Sequence, residues 1–190
     1  YSYMRPGKNI KRKRVVVIGG GTGTFAVLSA LKDCPLNLTA IVSMADDGGS
    51  TGALRDQYGV LPPGDVRRAL VALSQESQTL RDLFNYRFGN GDLSGHSFGN
   101  IFLSALEKLS GNFALAVKEA SRVLNLKGSV LPVTLSNVRL YARLADGEVL
   151  KGETNIDIPR AGSYVRARIS RVWLNPRAKI NPEARSAILS

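Results

Sequence analysis

Two glycine loops, each closing an apolar β-branched run, constrain this chain more than any other feature. The first is VVVIGGGTGTF, Val15 to Phe25, and carries no charge. The second is AIVSMADDGGSTG, Ala40 to Gly52, led by Asp46 and Asp47. A buried strand that ends in glycines and opens a helix brings backbone N–H groups close to a phosphate. Strand, helix and strand within about 30 residues predict a βαβ unit with two parallel strands. The paired carboxylates in the second loop add a place for a metal ion or a ribose.

The elements follow from this start. Val15 to Ile18 reads as a strand buried on both faces. Phe25, Val27, Leu28 and Leu31 repeat at helical spacing over Thr24 to Lys32, and Pro35 stops that helix. Leu38 to Met44 is the second strand. Pro62-Pro63-Gly64-Asp65 forms a rigid turn, with Asp65 placed to cap a helix over Val66 to Leu73. A short helix over Leu80 to Phe88 precedes a polar glycine loop, Gly89 to Ser97. Ser97 caps a helix over Phe98 to Leu109, Gly111 ends it, and Phe113 to Leu124 repeats the amphipathic pattern.

The pattern then shortens. Val130 to Leu135 and Val138 to Leu144 are strand-like, and Asp146-Gly147 is a two-residue hairpin signal. Arg166 to Leu174 alternates Arg with apolar residues, as a strand with one exposed face does. Pro182 opens a last helix. The expected class is α/β: a Rossmann-like parallel sheet with flanking helices and a small antiparallel β appendage. Residues 1–13 form a basic flank, 14–133 the nucleotide-binding region, 134–174 the appendage, and 175–190 the start of a helix returning to the main sheet.

Charge looks at first like a nucleic-acid signal, at +11 net over 190 residues. It is concentrated at the two ends. Residues 1–14 hold six Lys or Arg and no acid, residues 151–190 hold eight basic and three acidic residues, and the stretch between is balanced. Lys11 to Arg14 lacks the interleaved aromatics of a single-strand groove, so no specific nucleic-acid partner is expected. The single Cys34 permits no internal disulfide. No apolar run approaches the roughly 18 residues of a membrane span, and a cytoplasmic location is the default. Homo-oligomerisation stays open.

The chemistry of the loops is narrower than their glycines. Gly21, Gly23 and Ala26 fit G-x-G-x-x-A, and the acidic pair ends the second strand where a ribose-binding acid belongs. That favours a dinucleotide fold and an NAD(P)-linked reading, with glycines needed only for a tight strand–helix turn as the lesser alternative. No Lys-Ser or Lys-Thr follows, so this is not a P-loop. Two adjacent carboxylates repel unless a cation, donors or solvent offset them. Mg²⁺, which takes one or two carboxylates plus phosphate oxygens, fits them, as does a solvated acidic turn. Arg55, Arg67 and Arg68 could receive phosphate charge or lie on helix surfaces. His96, the only histidine, stands at a helix N-terminus as a general base, a phosphate donor or a simple turn residue. One His and one Cys exclude a zinc-type cluster.

Taken together, GGGTG at Gly19–Gly23, ADDGGSTGALR at Ala45–Arg55, LPPGDVRRAL at Leu61–Leu70 and LSGHSFGN at Leu93–Asn100 resemble the 2-phospho-L-lactate transferase superfamily. Within it they resemble the bacterial gluconeogenesis-factor branch most. The resemblance implies a ligand held at the C-terminal strand ends. In the transferase branch, a phospholactyl group moves from a guanosine diphosphate carrier to a deazaflavin alcohol with Mg²⁺. In the gluconeogenesis-factor branch it implies binding of UDP-sugars, including UDP-N-acetylglucosamine, and a link to gluconeogenic growth, cell shape and cell-wall synthesis. Carried over by motif, Gly20, Gly21, Thr22, Gly23 and Thr24 face the ligand, and Asp46 and Asp47 the metal or diphosphate. Ser97 and Asn100 supply a helix-end anion site, with Ser50, Thr51, Arg55 and His96 as further candidates. In the family a strand and a glycine loop of the type GPGSLYTS follow the segment equivalent to Asn181–Ser190, so the natural chain is expected to continue.

Overall fold

β2 (Leu36–Val42) is the most buried strand and organises the main sheet. Its Ala40, Ile41 and Val42 are fully buried, as expected of a strand covered on both faces. β1 (Lys13–Gly19) and β3 (Ser129–Pro132) flank it, both parallel, giving the order β1-β2-β3. The computed structural model describes residues 12–157 and 167–190. Most of the expected basic flank, and the Arg166 start of the last strand, lie outside the described residues.

Helices cover the sheet. α1 (Gly21–Leu31) links β1 to β2. Between β2 and β3 run α2 (Gly49–Tyr58), α3 (Gly64–Leu73), α4 (Gln78–Asn85), α5 (Phe98–Ser110) and α6 (Phe113–Val123). The core forms where Leu28 of α1, Val66, Leu70 and Leu73 of α3, Leu103 of α5 and Val117 of α6 meet Ala40 and Val42. Phe84 of α4 packs edge-on against Phe98 and Phe102.

The local signals that chemistry makes unambiguous appear as expected. Ser97 accepts from Asn100 N at the start of α5, and Gly111, at φ +65°, closes it in the left-handed region. Other elements differ. The apolar run predicts a β1 covered on both faces. Among the described residues it has only β2 as a neighbour, and its Ile18 is 61% exposed. α1 begins at Gly21 rather than Thr24, so the first loop's glycines form its opening turn. α2 has no counterpart in the sequence reading: the GSTG half of the second loop is already helix. α4 ends at Asn85, short of Phe88, and is capped by Ser77.

The appendage is an antiparallel sheet ordered β5-β4-β6. β4 (Arg139–Leu144) and β5 (Val149–Lys151) form the hairpin, with Gly147 at φ +94° in its turn. α7 (Glu153–Asp157) follows β5, and β6 (Ile169–Asn175) pairs with β4. α8 (Pro182–Leu189) is capped by Asn181, whose side-chain amide also donates to Pro132 O, tying the helix back to the end of β3.

Candidate functional site

A cleft of about 390 Å³ opens at the C-terminal ends of β1 and β2. Gly20 and Gly21 at the start of α1, Ser43 and Asp46 after β2, Asp65 and Arg68 of α3, and Glu153, Thr154 and Asp157 of α7 line it. Glycine makes this convergence possible. A methyl group on Gly20 would collide with the Asp65 carboxylate, and one on Gly64 with the Asp46 carboxylate and the Thr51 hydroxyl. The start of α3 therefore meets that of α1 at Gly20 and that of α2 at Gly64, and helix dipoles at such ends favour anionic groups.

Asp65 does not cap its helix. Pro63 holds the N-cap position, and Asp65 sits in the first turn. Its carboxylate accepts from the Gly21 N–H and lies 3.7 Å from Arg68. Burial, and then the nearby Asp46, push its pKa above the usual carboxylate range. Glu153 is raised by burial and by Asp46, Asp65 and Asp47. The cleft is therefore short of positive charge: among the described residues, Arg68 is its only basic lining side chain.

The two aspartates of the second loop turn to different neighbours. Asp46 accepts from Gly48 N at 3.0 Å and from Thr51 Oγ1 at 3.0 Å, fixing the start of α2. Asp47 accepts from Thr154 N at 3.0 Å and Thr154 Oγ1 at 3.1 Å, so it holds α7 against the loop. Asp46 lines the cleft and Asp47 does not. Among the described residues no three His, Cys, Asp or Glu side chains are grouped to hold a metal ion by themselves. A cation here would complete its shell from phosphate or water.

Several other candidates form a buried polar network behind the cleft. Ser50 Oγ lies 3.1 Å from His96 Nδ1 and receives the Ser97 N–H and the Asn100 side-chain amide, at 3.4 and 3.2 Å. Asn100 Oδ1 accepts from Arg67 Nε at 3.0 Å, and Arg67 also donates to Asn85. Burial lowers the Arg67 pKa to about 10. Arg55 is buried too. It donates to Asn137 Oδ1 and Val138 O, and burial followed by Arg139 lowers its pKa. Thr22 and Gly23 are exposed on α1, while Thr24 Oγ1 bonds back to Gly20 O. The structure thus brings Gly20, Gly21 and Asp46 together in the cleft. Ser50, Ser97, Asn100 and one edge of His96 join in the network, and Arg55 stands apart. His96 also lines a second, more apolar pocket of about 310 Å³ between α2 and α5.

Sequence reasoning did not assign Asp65, Glu153, Thr154 or Asp157 to the site. Only the PPGD motif, which reads as a turn and a cap, carried a signal for Asp65.

A parallel sheet with flanking helices, a cleft at its strand ends and an antiparallel appendage define a Rossmann-like α/β protein. The chain belongs to the family described as 2-phospho-L-lactate transferase CofD, whose model matches residues 15–190. It is 47% identical over 169 residues to the gluconeogenesis factor of Halalkalibacterium halodurans, covering 88% of this chain and 51% of that protein. It is 45% identical over 173 residues to the gluconeogenesis factor of Bacillus subtilis, covering 90% and 52%. A crystal structure of a UPF0052-family protein from Bacillus halodurans superimposes with a TM-score of 0.85 at 44% identity, covering 95% of this chain and 56% of that one. The chain thus spans about half the length of these relatives. Among the described residues no helix is long and apolar enough to cross a membrane.

Proposed function

We propose that the cleft binds the diphosphate of a nucleotide sugar of the UDP-N-acetylglucosamine type. In this reading the protein is a cytoplasmic regulator linked to gluconeogenic growth, cell shape and cell-wall synthesis. The observation that carries it is the open cleft at the ends of parallel strands, where Gly20 and Gly21 at the start of α1 meet Asp65 and Arg68 of α3. The names of the relatives support the link to gluconeogenesis. The uridine and the sugar come from the family resemblance.

The acidity of the cleft adds a requirement. A bare diphosphate beside Asp46, Asp65 and Glu153 would be repelled, so a divalent cation such as Mg²⁺ enters with it. Asp46, with Asp65 beside it, is the donor set facing the cleft, and Mg²⁺ would neutralise diphosphate charge there. Asp47 acts at one remove by fixing α7.

The same donor set favours a second reading, a Mg²⁺-dependent 2-phospholactate-type transferase acting on a nucleoside diphosphate-linked substrate. Turnover separates the two, since a regulator returns its ligand unchanged. Calorimetric titration of the full-length protein with UDP-N-acetylglucosamine, with and without Mg²⁺, tests the first reading. Saturable heat that grows with Mg²⁺ is expected, and Asp46→Asn should weaken binding at least tenfold. No heat at millimolar ligand would sink the proposal. Product formation that Asp46→Asn abolishes would establish the transferase instead.

A further inference from the structure

The appendage sheet has two chemically different faces. Side chains alternate along β4, so Leu140, Ala142 and Leu144 share one face and Arg139, Tyr141 and Arg143 the other. Opposite the second set stand Trp173 and Arg171 of β6 and Lys151 of β5. Tyr141 and Trp173 are direct cross-strand partners with stacked rings, 5.6 Å between centroids and 18° between planes. The Arg143 and Arg171 guanidiniums lie 5.9 and 5.7 Å from the Trp173 ring centre.

This arrangement has a cost that the fold itself does not explain. Arg143 and Arg171 are paired directly across the strands, and like charges in that position destabilise a sheet. The indole offsets part of the repulsion. Yet neither guanidinium makes an ion pair or donates a hydrogen bond among the described residues, whereas Arg139 is held by Asp56. None of the three strands contains an acid. The face therefore offers two stacked rings flanked by three uncompensated cations.

We propose that this face binds a short run of single-stranded nucleic acid. Bases would stack on the Tyr141–Trp173 pair while Arg143, Arg171 and Lys151 meet the phosphates. A sheet face with paired aromatics accommodates about two or three nucleotides, and stacking tolerates any base. An acidic protein segment would use the cations but would leave the two rings without a role, so the rings favour the nucleic acid. The basic run at Lys11–Arg14 has no such aromatics. Tyr141 and Trp173 lie 32 residues apart in sequence, and only the pairing of β4 with β6 puts them among arginines.

Trp173 is the only tryptophan among these 190 residues, and its emission, taken as the difference between the full-length protein and its Trp173→Phe variant, reports on this face. The full-length protein would be titrated with a 12-nucleotide oligo(dT) at two salt concentrations. The expected result is saturable quenching, with log K falling against log salt at a slope of about −2 for three phosphate contacts. Arg143→Ala with Arg171→Ala should lower affinity at least tenfold, and Tyr141→Leu, which keeps every charge, at least fivefold. Arg143 and Arg171 are exposed and Tyr141 is half-buried, and matched circular dichroism would verify folding. Absent quenching overturns the proposal. So does affinity unchanged in the double arginine variant, which would place binding on the basic flank. Equal competition by polyglutamate of the same length, with Tyr141→Leu silent, would make the face an acidic-protein interface instead.

Discussion

Gly64 and Gly23 show that glycines in one family signature have different duties. Gly64 sits where a side chain would enter the Asp46 carboxylate and the Thr51 hydroxyl. Gly64→Ala should lower stability by about 1–3 kcal/mol in urea unfolding, as overpacking does. Gly23 lies in the first turn of α1, and a methyl group placed there would meet nothing within 4 Å. Gly23→Ala should leave stability unchanged or raise it by about 0.5–1 kcal/mol through the lost chain entropy of glycine. Asp65 supplies the pH dependence at this scale. Burial and Asp46 raise its pKa in the fold, so the native state keeps a proton that the unfolded chain releases. Its contribution is complete below the unfolded carboxylate pKa and is lost as pH rises through the folded value. A divalent cation reverses that loss by stabilising the carboxylate. The gain in Tm on adding Mg²⁺ should therefore be larger at pH 7 than at pH 5, and Asp65→Asn should remove the difference. Equal gains at both pH values would separate Asp65 from the cation.

At the scale of elements, local chemistry was legible and through-space chemistry was not. Ser97 and Gly111 mark the ends of α5 because a cap and a left-handed stop are decided within a few residues. α2 was hidden because Gly49 and Gly52 interrupt its periodicity, and of its buried side chains Ser50, Thr51 and Arg55 are polar and only Leu54 is a large apolar one. Thr51 bonds Asp46 nearby, but the partners of the other two polar ones lie far along the chain: His96, Ser97 and Asn100 for Ser50, Asn137 for Arg55. For the same reason Asp65 reads as a cap, since its contact with Gly21 joins two elements. The network joining α2 to α5 can be probed by Ser50→Ala. It leaves the Asn100 amide without its acceptor and should cost about 1–3 kcal/mol. If the network is a support rather than a ligand contact, nucleotide-sugar affinity should fall far less than in Asp46→Asn.

At the scale of the whole molecule, the appendage is fastened to the main unit beside the cleft it helps to wall. Asp47 grips Thr154, Arg55 grips Asn137 and Val138, and Asp56 pairs with Arg139. The fold class could be read from strand, helix and hairpin signals, but these fastenings could not, because each joins residues more than 80 positions apart. Asp47→Ala should release α7 without unfolding the main sheet. Hydrogen exchange should accelerate over Gly152–Asp157 while β2 amides stay protected, and uniform acceleration would mean that Asp47 supports the entire fold.

The central position of β2 also has a consequence in time. It pairs with β1 just before it, but its other partner, β3, begins only at Ser129. During synthesis this strand, the most buried among the described residues, thus waits with one edge open while roughly 90 further residues are made, about 5–20 s at ordinary ribosome speeds. Three walls of the cleft are encoded before residue 70 and the fourth, α7, after residue 150. The nascent chain therefore passes through a stage in which the strand ends and helix N-termini exist but the site is not yet enclosed, and this interval is when a chaperone would have most to protect.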